Sequence, residues 1–368
     1  MDIFKSETYS DFIKFYLPYL RENENSFKNS FGKYKTAIEK SQKEVNMEVI
    51  ENHYNINTER YFKWLNDNNY MKFHKKLTYY KLNPFNVIIA YDGENKDILN
   101  ILSVIIGALL FYYNDYYKCS IEKCKNYIIY VNPFNVPREK PDKIDENDIV
   151  GSIRSFKSEG KFNVTSGLTS FNLSIVSRYN EIVKLTIHEV LHWLKVERED
   201  THMPLDDFFM NKFNFDKKIN LVNYETYAEF LASILNIYSY VILKNDGKLE
   251  TVFKFLVIEV FYSIYQTSKL LKLFGYEKWS DFYKHKNKFY TDTFYFNYTI
   301  VRSFYYFNFH EIFKIINDDL SIIPNFENRI LDIIKNFIEN DKNYQKYINP
   351  LFNYDDKSMR YTIIDFFH

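Results

Sequence analysis

Residues 185–194 (LTIHEVLHWL) contain no ionisable group except His188, Glu189 and His192. Because Leu185, Ile187, Val190, Leu191, Trp193 and Leu194 are spread around the wheel, a helix here has no wet face, and the rest of the chain must wrap it. Burial adds a second demand. A carboxylate and two imidazoles removed from water are costly unless each finds a partner. His188 and His192 stand at i and i+4, one turn apart on one face, where both can hold one ion, with Glu189 on the adjoining face. Two neutral imidazoles and a carboxylate suit Zn2+ and leave a position for water, whose proton Glu189 can take as general base. The competing reading is a core helix with two satisfied histidines, and the desolvation of Glu189 argues against it.

Composition supplies the wrapping. The 368 residues include 8 Gly and 8 Pro against 35 Phe and 34 Tyr, too few turn-formers for a loop-rich barrel and a balance that favours long helices. Hydrophobic residues reach 46% and charged ones 26%, enough apolar surface for a sizeable core in one large or two ordinary domains. The surplus of Phe, Tyr, Ile, Asn and Lys matches AT-rich codons, so aromatic density is not read as a stacking platform. Lys plus Arg and Asp plus Glu are 48 each, which gives no overall field to draw the chain to nucleic acid or an anionic membrane. Cys119 and Cys124 cannot build a tetrahedral thiolate site and are expected as reduced, buried small hydrophobes. The opening MDIFKSETYSDF lacks the apolar run of a secretory signal, and residues 98–113 fall short of the roughly 20 a spanning helix needs. The expectation is an intracellular chain with no membrane insertion.

Three regions follow from the patterning. Residues 1–80 alternate aromatic and charged positions at helical spacing and read as an N-terminal helical region. Residues 81–245 read as the core: a strand at 86–91, a helix at 97–115 and a strand at 126–131 make a β-α-β pattern. A polar connector follows from Arg138 to about Lys161, punctuated by Pro133, Pro137 and Pro141. In FNLSIVS (171–177) apolar and polar residues alternate, which predicts a strand with one wet face at a sheet edge, and Ser177 or Asn180 can cap the helix after it. Residues 246–368 read as a helical subdomain with an amphipathic stretch at 249–273. The expected class is α+β, predominantly helical.

Zinc needs a third protein ligand. The HExxHxxGxxH solution fails, because Lys195 stands at the Gly position and Arg198 at the third His. Glu197, Glu199, Asp200, Asp206, Asp207 and Asp216 are assigned mostly to a loop broken by Pro204. Glu225 and Glu229, in NYETYAEFLASILN, are i and i+4 on one helical face, and Ala228, Ala232 and Ser233 are small enough to let that helix come close.

An HExxH followed on a later helix by ExxA and an acid resembles the gluzincin metallopeptidases, the thermolysin and neprilysin type. The matching residues are His188, Glu189, His192, Glu225, Ala228 and Glu229. The resemblance implies Glu225 as the third zinc ligand and Glu229 as the carboxylate that orients His188. It also implies a zincin-like catalytic domain with a small mixed sheet. The chain carries Tyr224 where thermolysin-like enzymes have Asn and Glu rather than Asp at 229, and 33 positions separate His192 from Glu225. A wider resemblance, over about residues 130–310, is to uncharacterised predicted zinc metallopeptidases of large DNA viruses. It is carried by NVTSGLTSF, VSRYNEIVKLTIHEVLHWL, ETYAEFLASILN, EVFYSIYQTSKLLKLFGY and YTDTFYFNY, and implies a place in the host cytoplasm or virion.

The functional expectation is therefore a zinc metallopeptidase acting on a protein or peptide. Its rival is an inactive zinc-stabilised structural or host-interaction protein. Residues 163–177 stand where gluzincins present an edge strand to bound peptide, so strand addition is expected. His202, His285, His310 and the C-terminal tyrosines are all available to stabilise a developing oxyanion, and Thr291, Asp292 and Thr293 read as a helix cap.

Overall fold

A computed structural model describes residues 2–51, 58–67, 70–123, 126–136, 138–139, 167–198, 203–213, 221–284 and 296–366. The strands β1 (Asn46–Val49), β2 (Leu77–Asn83), β3 (Val87–Asp92), β4 (Tyr127–Asn132), β5 (Gly167–Ser170) and β6 (Leu173–Ser177) form one mixed sheet in the order β1-β2-β3-β4-β6-β5. The middle strands β3, β4 and β6 are parallel, while β1, β2 and β5 run antiparallel to their neighbours at the two sides. Around the sheet lie α1 (Glu7–Arg21), α2 (Glu24–Glu44), α3 (Thr58–Asp67), α4 (Lys96–Tyr112), α5 (Asn114–Lys123), α6 (Ile182–Leu194) and α7 (Met203–Phe213). They are followed by α8 (Asn223–Lys244), α9 (Leu249–Leu273), α10 (Trp279–Lys284), α11 (Arg302–Phe307), α12 (Phe309–Phe313), α13 (Phe326–Glu339) and α14 (Lys342–Leu351). A π-helical stretch, Phe296–Val301, leads into α11. The class is α+β and mostly helical, as the composition requires.

The β-α-β pattern is realised by β3, α4 and β4. Strand β3 is buried along its whole length, which its near-continuous apolar run dictates for a parallel strand covered on both faces. Asn95 starts α4 by accepting from the backbone N–H groups of Asp97 and Ile98 at 2.9 and 3.4 Å, the usual N-cap geometry. The apolar residues 98–110 then bury themselves in the core. Helix α8 is long and apolar enough to cross a membrane, yet 83% of that window is buried inside the protein, as befits a core helix. One apolar cluster runs from Ile3 to Phe366 through all three sequence regions.

Several local expectations are corrected. The first 80 residues are helical but also contribute β1 and the start of β2; β1 (NMEV) is short and mostly exposed, so it carries no burial period to read. Strand β6 has no wet face, since all five residues are buried. Ser174 sits inside because its hydroxyl pairs with Tyr127 Oη and Thr169 Oγ1, both at 2.5 Å. The edge strand is β5, joined to β6 through a turn at Phe171 and Asn172. Neither Ser177 nor Asn180 caps α6. Glu181 holds that position after a 3-10 turn, with no side-chain cap bond, because its carboxylate is engaged by Arg138 Nε and the Tyr361 N–H at 3.2 and 2.7 Å. Asp206 and Asp207 lie on α7 and not in a loop, since Pro204 occupies the first turn, where its missing N–H costs nothing. Cys119 is exposed; Cys124 and the connector beyond Glu139 lie outside the described residues.

The N-terminal helices dock through a close approach at Gly107 of α4. A Cβ there would overlap Ser41 Oγ and lie 2.6 Å from Val45 Cγ2, and Ser41 is itself held by its bond to the Val104 carbonyl at 2.7 Å. Gly32 of α2 is exposed and has open space around it. Gly107→Ala is therefore expected to destabilise the chain by about 1–3 kcal/mol through overpacking. Gly32→Ala should stabilise it by about 0.5–1 kcal/mol through helix propensity. Urea midpoints that moved in the same direction for both variants would refute this packing.

Candidate metal centre

Helices α6 and α8 pack together so that three side-chain atoms converge. His188 Nε2 and His192 Nε2 are 3.0 Å apart, Glu225 Oε2 lies 3.2 Å from the second and 3.4 Å from the first. The imidazoles meet edge to face at 86°, as a one-turn stack on α6 requires. Each ring also has a carboxylate behind it. Glu197 Oε1 lies 2.7 Å from His192 Nδ1, and Glu229 Oε2 lies 3.3 Å from His188 Nδ1. Carboxylates placed there favour the Nδ1–H tautomer and turn both Nε2 lone pairs inward. Three electron-pair donors then face one another, an arrangement that is repulsive unless protons or a cation lie among them. Two ligands at about 2.0–2.1 Å from a tetrahedral ion stand about 3.3 Å apart, close to the spacings here. Among the described residues this trio is the group able to hold a metal ion.

Electrostatics point the same way. Burial pushes the Glu225 carboxyl up, but His192 and His188 outweigh it and hold the group well below the ordinary carboxylate range. Burial lowers His192, but Glu225 and Glu197 raise it well above its usual value. The centre thus draws positive charge. Burial also raises the Glu189 carboxyl, against the nearby imidazoles and a hydrogen bond from Thr169. That bond, Thr169 Oγ1 to Glu189 Oε2 at 2.6 Å, comes from the edge strand β5. Gly167, also on β5, lies so close that a Cβ would overlap Glu189 Oε1 and sit 2.9 Å from Cδ. The carboxylate of Glu189 is therefore clamped between α6 and the edge strand.

The approach of Glu225 is organised from elsewhere in the chain. Helix α8 has no cap of its own; Asp206 Oδ1 accepts from both the Asn223 backbone N–H and Nδ2 at 3.0 and 2.6 Å, and burial pushes Asp206 up to about 6. Asn297, in the π-helical stretch, donates to Asn223 Oδ1 at 3.2 Å and accepts from the Val222 N–H at 3.3 Å. Its neighbour Tyr298 then donates to Glu225 Oε2 at 2.8 Å. Burial and Glu225 push the Tyr298 phenol well above its usual value, so it keeps its proton. Behind His188, Glu229 Oε1 pairs with Lys184 Nζ and with Arg302 Nη1, the latter at 3.0 Å. These cations, with His188, hold Glu229 far below the ordinary range despite its burial.

The structure brings His188, Glu189, His192, Glu225 and Glu229 together. It places His310 elsewhere, 2.9 Å from Asn23 Nδ2 and 3.3 Å from Glu22; His202, His285 and residues 291–293 lie outside the described residues. Sequence reasoning set Glu197 aside with the loop acids and gave no role to Thr169, Gly167, Lys184 or Arg302. Lys184 stands one turn before His188, so its spacing was a usable signal. Glu197 was hidden by a turn.

Among known proteins, the uncharacterised protein R210 of Acanthamoeba polyphaga mimivirus is 28% identical over 221 residues, covering 53% of this chain and 55% of the relative. The chain thus spans about half the length of the curated relative it matches. No protein-family profile and no solved structure matches the chain.

Helix α6 ends with Lys195 in the left-handed region at φ 58°. The Lys195 N–H reaches the His192 carbonyl and the Val196 N–H the Leu191 carbonyl, at 3.1 and 3.3 Å, a reversal of Schellman type. This reversal returns Glu197 to His192. Lys195→Gly removes the Cβ penalty of that conformation and should raise stability by about 1 kcal/mol, whereas Lys195→Val should lower it. Unfolding midpoints in the opposite order would mean that the turn is formed differently.

Proposed function

We propose that the chain is a zinc-dependent peptidase of gluzincin type with a zincin-like core. His188, His192 and Glu225 hold Zn2+, Glu189 is the general base, and Glu229 and Glu197 orient the two imidazoles. The observation that carries this reading is the convergence of two Nε2 atoms and one carboxylate oxygen within 3.4 Å, beside a buried glutamate that touches a sheet edge. A bound zinc ion supplies a Lewis acid that polarises the scissile carbonyl and acidifies water.

The protein's own groups divide the remaining work. Glu189, raised by burial and steadied by Thr169, takes a proton from water and passes it to the leaving amine. Tyr298, which keeps its phenolic proton, donates it to Glu225 Oε2 and so holds that carboxylate against the two imidazoles. Among the described residues strand β5 pairs with β6 alone and is last in the sheet order, so on this reading its other edge accepts an extended peptide by strand addition next to Glu189. The substrate is then a protein or peptide, and the viral relative supports a place in a host cell or virion.

The test is metal content together with turnover of a peptide library. Wild type and Glu189→Gln should each carry one zinc, with turnover in the variant reduced at least about 10³-fold. His188→Ala should lose both. Gly167→Ala should keep zinc and lose activity about 10- to 100-fold, because the added methyl displaces the base. Hydrolysis retained by Glu189→Gln would overturn the assignment. Zinc bound without turnover or hydroxamate binding in wild type would favour the structural role.

Zinc affinity should also depend on pH in a definite sense. His192 is raised in the metal-free protein, so protons compete with the ion until pH exceeds that raised value. Binding therefore strengthens as pH rises and weakens on acidification. Competition titrations from about pH 8 to about pH 6 should show affinity falling at least tenfold, and a flat profile would exclude imidazole ligation.

A further inference from the structure

Glu229 reaches His188 with one oxygen because two cations hold the other. Lys184 and Arg302 are 1% and 0% exposed, and both bond Glu229 Oε1. Two buried cations on one carboxylate oxygen need further partners, since an uncompensated charge in the interior is unstable. Glu181 and Glu259 supply the opposite charge, and residues 355–366, an irregular segment after α14, supply further contacts.

Tyr361 is the centre of that segment. Its ring lies 4.1 Å from the Arg138 guanidinium, 5.2 Å from Lys184 Nζ and 5.7 Å from the Arg302 guanidinium, within the range where a ring face attracts a cation. Its carbonyl accepts from Arg302 Nη1 at 2.5 Å, the same nitrogen that donates to Glu229. Its N–H donates to Glu181 at the start of α6. The ring also meets that of Tyr298, the donor to Glu225, at 5.5 Å. Two other anchors keep the segment in place, one at Asp356, away from these cations, and one at Glu259, whose charge also acts on Arg302 and Lys184. Asp356 pairs with Lys269 at 2.6 Å, and Thr362 Oγ1 and the Ile363 N–H both donate to Glu259 Oε2 at 3.0 and 3.1 Å.

We infer that residues 355–366 belong to the metal centre, with Tyr361 as a positioning residue that fixes Lys184 and Arg302, through them Glu229, and through Glu229 the imidazole of His188. This inference rests on the metal reading above. Removing the ring face lets the two cations shift, and Glu229 with them, so that His188 loses its fixed orientation.

The experiment is zinc affinity by chelator competition on the full chain, with thermal midpoints measured alongside. Tyr361→Leu should weaken zinc about 10- to 100-fold, the usual cost of disturbing the groups behind a ligand. Tyr361→Phe, which keeps the ring, should stay within about threefold of wild type. Asp356→Asn weakens an anchor of the same segment that lies away from the two cations and should lower the midpoint while leaving zinc affinity within about threefold. Zinc affinity unchanged in Tyr361→Leu, or lost equally in Asp356→Asn, would overturn the inference and leave the segment a plain structural strap. If Tyr361→Leu does not fold, fluorinated phenylalanines at 361, which drain the ring face and keep its shape, carry the test. Affinity must then fall with each added fluorine, and a level series refutes the role. A wild type that binds no zinc defeats the metal reading itself, an outcome distinct from any of these.

Discussion

The contact between α6 and α8 buries ionisable groups that water would otherwise hold. Glu189, Glu225, Glu229 and His188 are each at most 9% exposed, and none can remain there without compensation. Much of the surrounding architecture is that compensation. Thr169 from the sheet edge serves Glu189, Tyr298 from the π-helical stretch serves Glu225, and Lys184 and Arg302 serve Glu229. Single deletions in such a set are costly because each leaves a charge behind, so the network acts as a unit and not as a sum of pairs. π-helical segments recur at functional sites for a related reason: one extra residue per turn re-aims a side chain without ending the helix, and here the re-aimed residue is Tyr298.

What could be read beforehand was whatever depends on spacing within one helix. The i, i+4 imidazoles, the i, i+4 acids and the small residues beside them are local, and α6 and α8 realise them directly. The β-α-β pattern was legible for the same reason, since β3 and α4 are long, strongly apolar and properly capped. Glu197 was not legible because its position depends on Lys195 adopting a left-handed conformation, which a lysine does not advertise. The burial of β6 was misread because its serine alternates with apolar residues as a wet face would, while the hydroxyl partners that neutralise it, Tyr127 and Thr169, come from other strands. Arg302 and Tyr361 are distant in sequence from the motif they support, and no short-range pattern links them to it.

The relation to the mimivirus protein extends over about half of each chain. Fold and activity come separately from such a likeness, and the chemistry must be argued from the site. The edge strand carries that argument furthest. Gly167 admits the Glu189 carboxylate only because it has no side chain, which ties Glu189, the helix that bears it and the edge strand into one rigid piece. On the peptidase reading proposed above, that rigidity is what would hold the base in place for catalysis.

The parts of the centre run from Gly167 to Tyr361 in sequence. During synthesis the helix with HEVLH, and Lys184 with it, emerges long before Arg302 and Tyr361, so for a time the nascent chain carries the acids of this centre with only part of their compensation. A ribosome adding roughly 5–20 residues per second needs on the order of ten to thirty seconds to supply the remainder. Through that interval Glu229 lacks the second cation that holds it in the folded chain, and the network around α6 and α8 is complete only once Tyr361 has been made.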